Sequence, residues 1–321
     1  ITILLIWLYT FQGGIKTIVW TDALQTIFML LSAGITFYLI SDSMDWSFSD
    51  AIASISNSEY SKSFFWDWSQ PNHFIKQFLS GAFIAIVMTG LDQDMMQKNL
   101  SCKNIKEAQI NMFSFSAVLV VVNLMFLCLG AALFLFAQHK GIPMPEKSDD
   151  LFPLIALNYL TPIAAILFIV GLIAAAYSSA DSALTALTTS FCIDFLNFDT
   201  NKKSDGKKTR FKVHVGFSVL LLITIMIFRE VSDDSVISTL FKAAGYTYGP
   251  LLGLYAFGLF TKREIKDNLV PIICVVCPCI CLLLNYNSEN WFNGYKFGYE
   301  LLILNGILTF LGLLLVNKKK L

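Results

Sequence analysis

Along AAAYSSADSALTALTTSFCID, residues 174–194, hydroxyls and a carboxylate recur at helical spacing inside an otherwise apolar stretch. At ~100° per residue, Ala175, Ser178, Ser182, Thr185 and Thr189 fall on one narrow arc, with Asp181 on one margin and Ser179 on the other. That arc offers only oxygen: hydroxyls, a carboxylate, and the backbone carbonyls that a hydroxyl-rich helix can free. These are the ligands a small hard cation such as Na+ prefers, by the logic that governs Ca2+ and Mg2+. A thiol or imidazole would have pointed to a transition metal instead. Hydroxyls alone serve equally well to pack neighbouring membrane helices and bond across them. Asp181 tips the reading toward an ion, because an ionisable group inside a span costs about 2.5–3.5 kcal/mol and normally faces a cavity or a partner.

Three further stretches carry residues of the same kind. In TIVWTDALQTIFMLLSAGITFYLI, residues 17–40, Asp22, Gln25, Thr26, Met29 and Thr36 share a helical face. Asp22 is therefore a second intramembrane carboxylate, or else an interfacial charge close to Lys16. Gly90 with Asp92, Gln93 and Asp94 makes the end of the 74–97 segment uncomfortable in lipid, as a discontinuous helix at a binding site would be. A helix end dipping into water would read the same way. The segment 236–260 holds Lys242, Tyr246 and Thr247, plus Gly245, Gly249 and Gly253 at a spacing that lets another helix approach closely. Lys242 either snorkels to the nearer surface or meets a solute. The run Cys274, Cys277, Cys279, Cys281 has no accompanying His or carboxylate and is interrupted by Pro278, so it reads as packing. His73, His139 and His214 lie near predicted span ends and receive no role.

The elements that must position these groups follow from composition. The chain has 321 residues, of which 55% are hydrophobic and only 14% charged, and its mean hydropathy is +0.63. A soluble domain carries roughly 25% charged residues. This is an all-α polytopic membrane protein, embedded in a lipid bilayer. Its formal net charge is zero, which gives no basic field for nucleic acid. The predicted spans are 17–40, 74–97, 111–137, 161–195, 211–229, 236–260, 268–286 and 299–317, with 151–160 as an interfacial helix. A partial span at 1–11 precedes a turn at Gln12-Gly13-Gly14, as if the chain began inside a helix. The stretch 41–73, rich in Trp and Tyr, reads as an extramembranous loop. Cations concentrate in alternate connections: Lys98, Lys103 and Lys106; the cluster from Lys202 to Lys212; Lys262, Arg263 and Lys266; and Lys318 to Lys320. The positive-inside rule makes that set cytoplasmic and the 41–73 loop external, as expected of a multi-pass protein of the cytoplasmic membrane.

Four motifs, in order, resemble the sodium/solute symporter family of sodium–glucose, sodium–proline and sodium–sialate cotransporters. They are GGIKTIVWTDALQ at 13–25, DQDMMQKNLSCKN at 92–104, the serine-rich stretch at 174–194, and YTYGPLLGLYAFGLFTKR at 246–263. The resemblance implies a LeuT-type inverted-repeat fold within a single transmembrane transporter domain. Here it would be partial, with core helix 5, the second repeat and two following helices present and core helices 1–3 missing. It further implies that Ala175, by its carbonyl, with Ser178 and Ser179 forms half of a conserved sodium site, and that Asp22, Ser178, Asp181 and Ser182 match a second one. Asp181 departs from the family's usual small residue. Two carboxylates at one site cannot comfortably both ionise without a cation between them. By the same resemblance Asp92, Gln93, Lys242 and Tyr246 face the solute and Asp94 takes a gate position.

The expected activity is symport, with no cofactor beyond Na+ as coupling ion. Sodium would order the serine-rich helix and raise affinity for a small organic solute: a sugar, an amino acid or an organic acid. Such linkage is reciprocal and typically amounts to about 1–3 kcal/mol, and rocking of the repeats alternates access. Two other readings compete. One is a sensor built on the same scaffold; the other is an intramembrane aspartyl protease using Asp22 and Asp181, although neither carboxylate has a Gly-x-Gly-Asp setting.

Overall fold

A computed structural model describes residues 2–196, 206–231 and 235–316, without the side chains of 2–22, 94, 97, 178, 181, 206–207 and 229–231. The described residues form no strand and build eleven α-helices. In chain order these are α1 (Thr2–Ser43), α2 (Phe48–Ser56), α3 (Phe74–Ala85), α4 (Gln93–Leu100), α5 (Ile105–Lys140), α6 (Leu151–Asn158), α7 (Pro162–Ser190), α8 (Gly206–Val231), α9 (Val236–Phe260), α10 (Val270–Trp291) and α11 (Leu301–Leu315). Among the described residues, five helical stretches are long and apolar enough to cross a membrane: Ala23–Ser43, Ile105–Lys140, Pro162–Phe195, Lys208–Phe228 and Asp267–Trp291. Phe74–Gly90 and Leu301–Leu315 are shorter apolar helices.

Local chemistry sets many of the boundaries. Asn104 caps α5 by accepting from the Glu107 N–H at 2.9 Å. Gly141, at φ +65, ends that helix in the left-handed conformation a side chain would resist. Thr161 caps α7 ahead of Pro162, whose missing N–H costs nothing in the first turn. Ser47 and Asp50 form a reciprocal capping box on α2.

Two of the expected boundaries move. The turn at Gln12-Gly13-Gly14 is absent, and one helix runs from Thr2 to Ser43. Two glycines weaken a helix by about 1 kcal/mol each, which a long apolar helix can absorb. The 41–73 loop contains a helix, α2, because the Ser47–Asp50 box starts one there and Ala51 and Ile55 give it a buried face.

The chain groups into two compact units. The first comprises residues 1–61 and 97–233, and the second residues 62–96 and 234–321. In the first unit α1 packs along α7 and against α5, while α6 and α8 also pack on α7. The crossing of α1 and α7 is tight: a Cβ on Gly171 would stand 2.9 Å from Ser32 Cβ and 3.5 Å from Met29 Cα. Ile40, Leu129, Leu133, Phe136 and Ile155 form the buried core at one end. Tyr60 closes over it, stacked on Phe134 at 4.9 Å and accepting from Gln138 Nε2 at 2.8 Å.

In the second unit α9 and α11 pack along their length, with α10 and α3 alongside α11. The neighbour expected for the 245/249/253 glycines is α11. A Cβ on Gly249 would overlap the Asn305 side chain, and one on Gly253 would lie 2.6 Å from both the Gly306 carbonyl oxygen and Thr309 Cβ. Pro250 sits inside α9, so its missing N–H deprives the Tyr246 carbonyl of its helical partner. Asn305 Nδ2 replaces that partner, donating to Tyr246 O at 3.0 Å and to Gly245 O at 3.1 Å. Cys277 and Cys281 are buried on α10.

Candidate functional site

The serine-rich stretch forms the second half of α7, ending in a π-turn at Phe191–Phe195. Ala175 is half-buried, Ser179 exposed and Ser182 buried. Ser182 Oγ accepts from Lys98 Nζ at 3.2 Å. The side chains of Asp22, Ser178, Asp181 and Asp94 lie outside the described residues, so their predicted roles rest on position along α1, α7 and α4. One helical turn beyond Asp22, Gln25 holds a buried Oε1 with no hydrogen-bond donor among the described residues. An orphaned acceptor of this kind costs free energy unless something positive meets it. Sequence reading placed Gln25 on the face of Asp22 without assigning it a role; only the geometry reveals the empty acceptor. His214, also given no role, is buried in α8 with its Nδ1 3.1 Å from Thr188 Oγ1 of α7.

In the second unit the 74–97 segment is broken, as a discontinuous helix would be. The last turn of α3 widens into a π-turn at Ile86–Gly90, and α4 begins after Leu91 and Asp92. Asp92 is half-buried, and its Oδ1 accepts from the Met95 N–H at 3.2 Å; Gln93 is exposed. This is how a carboxylate serves a helix N-terminus, so Asp92 already has a local structural function.

Lys242 and Tyr246 lie one turn apart on α9 and line a 510 Å³ cavity among α3, α9, α10 and α11. Asn285 Nδ2 donates to Tyr246 Oη at 2.9 Å. Ser238 and Tyr299 share a hydroxyl–hydroxyl bond of 2.9 Å, and the Tyr299 ring meets Phe241 edge-on. At the rim Lys296 pairs with Glu289 at 3.4 Å. Two lysines and one carboxylate line it with amides, phenols and aromatic faces, the polar groups that orient a small solute in a cavity. The positive-inside expectation would put this half of α9 on the outer side, since Lys262, Arg263 and Lys266 follow its other end.

Beside the cavity stands a pair that the sequence did not disclose. Lys76, 3% exposed, lies 3.8 Å from Glu300 Oε1, donates to Lys296 O at 3.2 Å and sits 3.5 Å from the Tyr295 ring centroid. Tyr295 Oη and the Gly298 N–H donate to the same Glu300 oxygen, each at 2.9 Å. Burial, with the Glu300 carboxylate beside it, holds the Tyr295 phenol well above its usual range, so it remains a donor at neutral pH. Lys296 N also donates to Ser69 O at 2.8 Å. The 65–73 and 292–300 segments are thereby fastened together over the ends of α3 and α11.

Comparison with known proteins decides the family. Residues 1–267 match the model of the sodium:solute symporter family. The chain belongs to the sodium:solute symporter family. It is 26% identical over 318 residues to the sodium/sialic acid symporter SiaT of Proteus mirabilis, covering 94% of this chain and 62% of that protein. It is 24% identical over 313 residues to the sodium/sialic acid symporter NanT of Aliivibrio fischeri, covering 94% of this chain and 61% of that protein. The chain thus spans about three fifths of the length of these two relatives. A solved Na+-coupled sialic acid symporter, in a substrate-bound outward-open state, superimposes with a TM-score of 0.78 at 20% identity, over 100% of this chain and 67% of that one. The fold is therefore of the LeuT type and the chain is a multi-pass membrane protein. Membership of a transporter family sets the aspartyl-protease reading aside.

Proposed function

We propose that the protein is a sodium-coupled symporter of the cytoplasmic membrane that imports a small organic acid, with acidic sugars such as sialic acid the first class to test. It acts as part of one transmembrane transporter domain and needs no cofactor beyond the coupling ion. The observation that carries this reading is the α1–α7 crossing at Ser32 and Gly171. The positive-inside assignment runs the two helices in opposite directions. Counting inward from the crossing, ten residues on each helix, about 15 Å, bring position 22 level with position 181, and seven bring position 25 level with position 178. The orphaned Gln25 oxygen and the buried Ser182 hydroxyl then flank the levels at which Asp22, Ser178 and Asp181 occur. An all-oxygen donor set of that kind fits Na+. Ala175 and Ser179 contribute to the neighbouring conserved sodium site that the family holds on this helix.

The solute reading rests on the outer cavity, where Lys242 and Tyr246 provide a cation and a phenol on one face of α9. Asp92, Gln93 and Asp94, at the break between α3 and α4, complete the proposed solute path and its gate. Lys242→Gln is expected to raise the KM for an anionic solute about tenfold while leaving kcat nearly unchanged, the signature of binding shared by ground and transition states. Equal KM values for the two proteins would remove Lys242 from the path.

The direct test is uptake of labelled sialic acid and of other sugar acids into liposomes holding the purified protein. An inward sodium gradient should drive accumulation, whereas choline or collapse of the gradient should abolish it. Asp22→Asn and Ser178→Ala should each raise the sodium concentration for half-maximal uptake by about tenfold or more. Flux that ignores sodium would refute the coupling, and an absence of flux with retained solute binding would favour the sensor reading.

A further inference from the structure

The Ser182 hydroxyl belongs to the proposed sodium site, yet its partner in the structure is a lysine. Lys98 is half-buried in the last turn of α4 and donates from Nζ to Ser182 Oγ at 3.2 Å. Its position is fixed by the adjoining residue: Asn99 accepts from Asn111 Nδ2 at 3.0 Å and contacts Met112 on α5. Sequence position alone marks Lys98 as one more cytoplasmic cation. The fold turns its ammonium inward, onto α7.

We infer that Lys98 is a tethered cation that occupies the Ser182 side of the sodium site when the ion is absent and must withdraw for sodium to bind. This inference rests on the proposed assignment of that site to Asp22, Ser178, Asp181 and Ser182. A hydroxyl can present lone pairs to two donors, but a sodium ion on Ser182 Oγ would bring a second positive charge within a few ångströms of the ammonium. The two cations therefore exclude each other. Two consequences follow: the sodium requirement is set higher than the oxygen ligands alone would make it, and release of Lys98 becomes a step linked to ion occupancy.

The experiment is equilibrium binding of radiolabelled sodium to the purified protein, with choline holding ionic strength constant. Lys98→Gln and Lys98→Met, the latter keeping the aliphatic stem, should lower the half-saturating sodium concentration about tenfold, equivalent to about 1.4 kcal/mol. Lys98→Arg, which keeps the charge, should stay near the unaltered protein. A lysine with a merely structural role would lower the thermal midpoint in choline without tightening sodium binding. Half-saturation that is unchanged or raised in both Lys98→Gln and Lys98→Met overturns the inference. Ser182→Ala and Asp22→Asn separate the two levels of the argument. If they weaken sodium binding while the lysine variants do nothing, Lys98 alone is misassigned; if they too leave binding untouched, the site itself is wrong.

Discussion

Replacing Gly253 by valine is expected to separate α9 from α11 and to cost about 3 kcal/mol or more in stability, at the upper end of what overpacking does. The new Cβ would arrive 2.6 Å from the Gly306 carbonyl oxygen and 2.6 Å from Thr309 Cβ, and a backbone oxygen in a packed helix has nowhere to go. Gly245 supplies the control. Its Cβ would meet Leu302 N at 3.7 Å, an ordinary contact, so Gly245→Ala should fall within about 0.5 kcal/mol of the unaltered protein. Thermal unfolding in detergent compares the two directly. Similar midpoints for Gly253→Val and the parent would mean that the helices are not packed as described. The same interface explains Asn305, whose amide replaces the N–H that Pro250 cannot supply to the Tyr246 carbonyl. Tyr246 is thereby held in the cavity wall by a residue on another helix.

The second large effect is expected at Lys76. Lys76 is buried and Glu300 is 17% exposed, so removing the lysine should cost about 3 kcal/mol, the low end for breaking a buried ion pair, because the carboxylate loses its cation. In Lys76→Ala the remaining carboxylate, Glu300, would keep the bonds from Tyr295 and Gly298 to one oxygen, while its Oε2 has no hydrogen-bond partner among the described residues. The fastening between 65–73 and 292–300 should loosen. Limited proteolysis of those segments should accelerate along with the fall in unfolding midpoint. Lys76→Ala combined with Glu300→Gln should recover part of the loss, since the stranded charge is then gone. A double variant that is less stable than Lys76→Ala alone would show that the pair is not the source of the effect.

Much of this architecture was legible in the sequence for simple reasons. Long apolar runs require helices in lipid, and the bounds of α9 coincide with the predicted 236–260. The break after Gly90 was one of two readings that Asp92, Gln93 and Asp94 allowed, the other being a helix end dipping into water, and the π-turn at Ile86–Gly90 decides for the break. The glycine register on α9 announced a close neighbour without naming it. What escaped detection depended on partners remote in the chain. Lys76 looks like any lysine near a helix end until Glu300 and Tyr295 are brought to it. Asn305 looks like a stray polar residue until Pro250 orphans a carbonyl one helix away. The Gln12-Gly13-Gly14 stretch misled in the opposite direction, since glycine permits a turn without compelling one. For the candidate ion site, the serine arc with Asp181 at its margin could be read from helical spacing, and the grouping of Asp22 with it came from the family resemblance. The orphaned Gln25 oxygen and the inward turn of Lys98 could not.

The claim on which the account stands is that α1 and α7 together hold a sodium ion by oxygen ligands. Isothermal titration of the purified protein with sodium chloride, against matched titrations of Asp22→Asn and Ser178→Ala, tests it without any knowledge of the solute. The account predicts saturable heat for the unaltered protein and a half-saturation point raised about tenfold or more in each variant. Three superimposable curves, or no saturable sodium binding in the unaltered protein, would contradict it.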